Sequence, residues 1–334
     1  MKNQTAVFIE KEKDLWEFLR TEFRNVYPHG SRVLIKLHMG EPGNRHYIKP
    51  ELAGKIIDLL KDNECEPFIF DTPVVYDSPR NNPGDYLKVA ADHGYSKEKL
   101  GVPVIINDKN TATRGEHMEY GLASSPLEAD GVLLLTHFKG HMCSGMGGSI
   151  KNVGMGCMSK ETKGAIHTGG EPVYADGCTE CGACVENCPT ENIRLDNGRP
   201  WFDVNWCPGC SNCILSCPVD AIRPKAAIFD RLLSEAAVLA HKKFKNVYAI
   251  NVMKGMTKLC DCIADAGPVL VEDTGFVCAP DMLTVDIASL ELLKKKTGRE
   301  DIFQEHNKVS SWGHVREAAS LMNRDMKVEI VEIP

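Results

Sequence analysis

The sequence predicts an α/β fold with a mainly parallel sheet core, interrupted by a small α+β ferredoxin-like module for two 4Fe–4S clusters. Three observations predict it. Short apolar segments alternate with helical ones along most of the chain, as in βα units with buried strands. Eight of the 14 cysteines fall in two runs of one spelling, "CTECGACVENCPTENIR" from Cys178 and "CPGCSNCILSCPVDAIR" from Cys207. Several βα units precede these runs and several follow. Residues 1–175 and 225–334 therefore read as one discontinuous core, and 176–224 as its insert.

The elements follow in chain order. "TAVFIE" is a short apolar strand. "DLWEFLRTEFRNV" carries Leu15, Phe18, Leu19 and Phe23 at helical spacing. "RVLIKLHM" is a strand. "KPELAGKIIDLLKDN" is a helix with Pro50 in its first turn. "EPFIFD" is a strand, and "NPGDYLKVAADHG" a helix with Asn82 as N-cap and Gly94 as its stop. "VPVIIN" and "DGVLLLT" are strands. Beyond the insert, "VYAINV" and "PVLVED" read as strands. "PDMLTVDIASLELLKKKTG" reads as a helix with Leu283, Ile287 and Leu290 on one face, three lysines at its negative end and Gly298 after it. The helix "GHVREAASLMN" and the strand "KVEIVEI" close the order.

The chain has 334 residues, 43% hydrophobic and 25% charged, with a formal net charge of −7. Its length suggests about two domains. There is no basic tract for nucleic acid. No apolar run has the length of a membrane span and no signal-like stretch opens the chain, so the expectation is a cytoplasmic, soluble protein. There, clustered thiols are ligands or catalysts rather than staples.

Cys178, Cys181, Cys184 and Cys188 each recur 29 residues later, as Cys207, Cys210, Cys213 and Cys217. Two zinc sites or disulfides are the alternative readings, although structural zinc usually takes two separated pairs. Three close cysteines and a remote fourth before proline is the bacterial ferredoxin run, whose fourth cysteine serves the other cluster. The expected sets are Cys178, Cys181, Cys184 and Cys217 for one 4Fe–4S cluster, and Cys207, Cys210, Cys213 and Cys188 for the second.

In α/β sheets ligands bind beyond the carboxyl ends of the strands. After "GVLLLT" comes "HFKGHMCSGMGGSIKNVGMGC", which reads as a ligand site rather than a flexible glycine-rich crossover. Its Lys139, Lys151 and Asn152 are the expected binders of a small anionic ligand, and Lys139, His141 and Lys151 the candidate catalytic residues. It is neither a Walker loop nor a dinucleotide fingerprint. His38, Arg45, His46 and Lys49 of a second loop are candidates for the same cleft. Cys157, Cys260 and Cys262 are a possible third metal or cluster site, completed by Cys143, Cys278 or His167. Cys65 reads as a buried small hydrophobe.

"FKGH", "GGSIKNVGMGC", "LCDC" and "PDMLTVDIAS" together resemble the uncharacterised Fe–S-center proteins built on the domain of unknown function 362, across nearly the whole chain. The resemblance implies an α/β core carrying two 4Fe–4S clusters, and no substrate. The expected function is an iron–sulfur oxidoreductase of anaerobic chemistry, passing electrons between a donor or acceptor protein and the bound anion. The alternatives are a non-enzymatic electron carrier and a metal- or cluster-handling accessory protein.

Overall fold

The computed structural model describes residues 4–333. An eight-stranded sheet forms its centre. From edge to edge the strands are Glu329–Ile333, Thr5–Ile9, Gly275–Ala279, Val247–Met253, Gly131–His137, Arg32–Lys36, Glu66–Asp71 and Val104–Ile106. Gly275–Ala279 pairs antiparallel with both neighbours, and every other pairing is parallel. The sheet is therefore mainly parallel, as expected.

Both faces are covered, which explains why the strands read as unbroken apolar runs. On one face Leu34, Leu134 and Val277 pack with the helices Ser149–Gly156, Phe229–His241, Met282–Thr297 and Gly313–Leu321. On the other, Val33, Ile35, Leu133, Leu135 and Phe276 meet Glu12–Val26, Pro50–Asp62 and Pro83–Asp92. The caps lie where polar chemistry requires them. Asn82 accepts from the Asp85 amide, Asp281 from the amides of Leu283 and Thr284, and Gly298 ends that helix in the left-handed region.

The strand expected at "PVLVED" forms, but outside the main sheet. Val269–Val271 pairs with Met256–Thr257 in a two-stranded ribbon, and the neighbouring "GFVCA" takes the place in the sheet. Gly275–Ala279 is buried at every position, with Phe276 and Cys278 packed on one face of the sheet and Val277 and Ala279 on the other. Val269 is exposed. The glycine-rich segment has regular structure. It forms the hairpin Lys139–His141 with Gly145–Gly147, then the helix Ser149–Gly156. Asp286 accepts from the amides of Ser149 and Ile150 and so caps that helix from another element. A Cβ on Gly154 would lie 2.6 Å from the Leu233 carbonyl oxygen, so this glycine allows two helices to touch.

The cysteine-rich segment is a small α+β unit. Pro172–Tyr174 and Ile222–Pro224 form its stem. Ile193–Asp196 and Arg199–Phe202 form a hairpin, and Ala183–Glu186 and Asn212–Leu215 are one-turn helices related by the internal repeat. Ser211 Oγ donates to the Gly170 carbonyl, and Asn212 to that of Lys308. Lys308 Nζ donates to the carbonyls of Glu186 and Cys188. Among the described residues no helix is long and apolar enough to cross a membrane.

Candidate active site

The carboxyl ends of Arg32–Lys36, Glu66–Asp71 and Gly131–His137 open into one cavity of about 340 Å³. Lys36, Lys139, Lys151, Lys163 and Arg80 line it, and among the described residues Asp71 is the sole carboxylate in its wall. Most of these charges are balanced. Lys36 Nζ lies 2.9 Å from Asp71 and also donates to Asn152 Oδ1. Burial favours the neutral Asp71 acid, but Lys36, Lys163 and the Tyr86 hydroxyl outweigh it and hold the carboxyl below its usual range. Arg80 meets Glu41 at 3.0 Å and donates to His38 and the Tyr76 hydroxyl. Burial first, and then the Arg80 charge, push His38 well down.

Asp261 lies behind the hairpin. It meets His137 Nδ1 at 2.7 Å and Lys139 Nζ at 3.1 Å. Burial alone would raise its pKa, yet its contacts with His137 and Lys139 hold it far below the carboxylate range. Two lysines remain without a carboxylate. Lys163 donates to the Thr72 hydroxyl and the carbonyls of Thr72 and Pro73. Among the described residues Lys151 has no hydrogen-bond or ion-pair partner, and burial, then Lys139, pull it down to about 7. Burial pulls Lys163 down to about 8. The cavity thus offers surplus positive charge in dry surroundings, which suits a carboxylate, phosphate or sulfate group.

Lys139, His141, Lys151 and Asn152 all line the cavity. Their tasks differ from those expected. Asn152 Nδ2 donates to the Lys36 carbonyl and the Thr136 hydroxyl, so it braces Lys36 and holds its amide away from a ligand. Lys139 is tied to Asp261. Lys151 alone projects an unsatisfied ammonium. Of the second loop, His38 lines the cavity; Arg45, His46 and Lys49 do not, and Lys49 sits over the Tyr47 ring at 3.9 Å. Sequence reasoning missed Lys36, Asp71, Arg80, Lys163 and Asp261. A lysine ending the apolar strand "RVLIK" and an aspartate ending "EPFIFD" were the available signals.

The expected grouping of Cys157 with Cys260 and Cys262 does not form. Cys157 ends the helix Ser149–Gly156 and packs into the core, where burial pushes its thiol up to about 12. The residue that joins the pair is His141. One ligand atom from each of His141, Cys260 and Cys262 lies within 4.8 Å of the others, a group of metal-ligand type. The two sulfurs are joined to each other as a disulfide. Cys143 and His167 line the same cavity, while Cys278 and Cys65 belong to the core on the far face of the sheet.

The other eight cysteines line two small cavities in the insert. Cys178, Cys181, Cys184 and Cys217 surround one, and Cys188, Cys207, Cys210 and Cys213 the other. Amides point at the sulfurs, from Glu180 to Cys178, Asn192 to Cys188 and Ala221 to Cys217, at 3.3–3.4 Å. Pro208 lines the second cavity. Its carbonyl accepts from His167 Nδ1 at 2.7 Å and from the Cys143 thiol at 3.9 Å. A single residue therefore separates this cysteine cavity from side chains that line the large one.

No curated protein matches the chain. Among solved structures it is similar to a Thermotoga maritima protein, at 10% identity over 72% of this chain and 50% of that one, with a TM-score of 0.41. It is also similar to a lactate racemase apoprotein from Thermoanaerobacterium thermosaccharolyticum, at 12% identity over 75% and 51%, with a TM-score of 0.34. The chain spans about half the length of these structures. The family model described as Domain of unknown function (DUF362) matches residues 33–291, most of the chain and the whole of the cavity wall described above, and this chain belongs to that family.

Proposed function

We propose that the protein is an iron–sulfur oxidoreductase acting on a small anionic substrate held in the lysine-lined cavity. Cys178, Cys181, Cys184 and Cys217 would hold one 4Fe–4S cluster, and Cys188, Cys207, Cys210 and Cys213 the other. The donor sets fit: each cavity presents four soft sulfurs, and amides aimed at sulfur can carry part of a thiolate's negative charge. Without metal, burial holds Cys210 up at about 12, so loading would release protons. Bound clusters would supply one-electron chemistry. The observation that carries the reading is the shared wall at Pro208, which brings a four-cysteine cavity next to the anion cavity. Cys181 is exposed, and Trp206 is 74% exposed, which suits contact with an electron-donor or acceptor protein.

The test is protein prepared without oxygen, with iron and sulfide counted per chain and paramagnetic resonance recorded after reduction. About eight irons per chain are expected. Cys217→Ala should lose the signal of the cluster shared with Cys178, Cys181 and Cys184 and keep the other. Loss of only the Cys207 cluster in that variant would reject the crossed assignment. Zinc in place of iron would reject the function.

A further inference from the structure

The short Cys-Asp-Cys segment at 260–262 remains unused by this function. We propose that Cys260 and Cys262 are a redox-active dithiol–disulfide pair in the cavity wall, with His141 as the proton-bearing group beside them; the proposal rests on the reading of the cavity as an electron-transfer site.

The backbone sets the pair up. The chain turns at Asp261 and Cys262, and the Ile263 amide donates to the Cys260 carbonyl at 3.2 Å. Here the Asp261 carboxylate is turned inward to His137 and Lys139, and both cysteines line the cavity. The segment is held from outside as well. The Glu41 amide donates to the Asp261 carbonyl, and the Tyr76 hydroxyl to the Cys262 carbonyl. Both sulfurs are therefore fixed next to the place where an anion would bind.

A cross-link between residues this close is a poor staple, because the stabilisation from a disulfide grows with the length of chain it closes. The same sulfurs are well placed for chemistry. His141 Nδ1 accepts from the amides of Cys143 and Ser144 at 3.1 and 3.2 Å. A neutral imidazole that accepts at Nδ1 carries its proton on Nε2. That N–H is a donor for a developing thiolate. It also disfavours a metal on the same three side chains, which would need a bare Nε2 and two free thiolates.

The step balances as a two-electron couple. The S–S bond breaks, two electrons enter from a one-electron donor acting twice, and two protons give Cys260 and Cys262 thiols. The donor, under the function proposed above, is the iron–sulfur centre beyond Pro208. Re-forming the S–S bond returns two electrons and two protons to an acceptor bound in the cavity.

The test uses full-length protein prepared without oxygen and divided in two. One half is oxidised with thionine and the other reduced with methyl viologen; both are denatured in acid and alkylated. The tryptic peptide 259–294 holds Cys260, Cys262 and the core residue Cys278, so Cys278 is an internal reference. One label in the oxidised half and three in the reduced half are expected, with two more electrons taken up by wild type than by Cys262→Ser. Three labels in both halves would overturn the proposal. So would a metal atom, beyond the iron of the clusters, that the wild type holds and Cys262→Ser loses. Iron and sulfide content is read separately. A chain without iron sinks the electron-transfer reading, and the label count is then taken with dithiothreitol as reductant.

Discussion

Under the proposed function, Lys151 is the residue on which anion binding turns. Its charge is unpaired, and burial and Lys139 hold its pKa near 7, against an ordinary value of 10.5. The protonated form binds an anion, so affinity should be highest below about pH 7. It should fall by up to about tenfold per unit above that. Calorimetry with inorganic phosphate or sulfate between about pH 6 and 9 checks this. Lys151→Met should weaken binding at least about tenfold and flatten the profile; an unchanged profile would assign the anion to Lys163 instead. This residue was legible because a lysine among glycines after a strand is conspicuous. Asn152 looked equally conspicuous, yet its amide braces Lys36. Sequence cannot tell a ligand-facing amide from a bracing one, since both need the same place. Asp261 was legible only as the spacer between two cysteines, because its partners His137 and Lys139 lie more than 100 positions away.

The elements that carry the site were read unevenly. Helices with a cap, an early proline and a terminal glycine, such as Pro83–Asp92, were clear. The helix Ser149–Gly156 was hidden by its glycines, which serve close packing here, and its N-cap comes from Asp286, far along the chain. The strand Gly275–Ala279 was hidden by its shortness and by the apolar neighbour "PVLVED". One turn deserves a test of its own. Gly209 has φ +68°, and a Cβ there would fall 1.9 Å from the His167 carbonyl oxygen. Gly209→Ala must therefore adopt a strained backbone and push the wall apart at Pro208. We expect a loss of about 1–3 kcal/mol of stability, measured by thermal unfolding, and, under the proposed function, slower electron arrival at the cavity, measured by stopped-flow reduction. Wild-type values for both would show that the wall tolerates separation.

At the scale of the molecule, the insert is stitched to the core by the Pro172–Tyr174 and Ile222–Pro224 stem and by a few side chains, Ser211, Asn212 and Lys308 chief among them. The helices that cover both faces of the main sheet lie outside the insert, although Cys210 packs into the core on one face. A chain with 176–221 replaced by a short glycine–serine linker should still unfold cooperatively in calorimetry, with its Tm lowered by a few degrees. A broad, non-cooperative trace would make the insert part of the core's folding unit. The α/β class and the internal repeat were legible at this scale because each rests on local pattern. The convergence of the loops on one cavity was not, because it depends on strand order.

That strand order also bears on how the chain reaches its folded state. Gly131–His137 and Val247–Met253 lie side by side at the centre of the sheet, yet residues 138–246, including every cysteine of the repeat, lie between them. Closing so long a loop is entropically costly before any pairing compensates it, and distant pairings make folding slow. The middle of the sheet must wait for the cysteine unit to be synthesised and tucked aside. If the cysteine unit holds iron as proposed, iron supply should therefore influence the rate at which the chain renatures, even where it leaves the finished sheet unchanged.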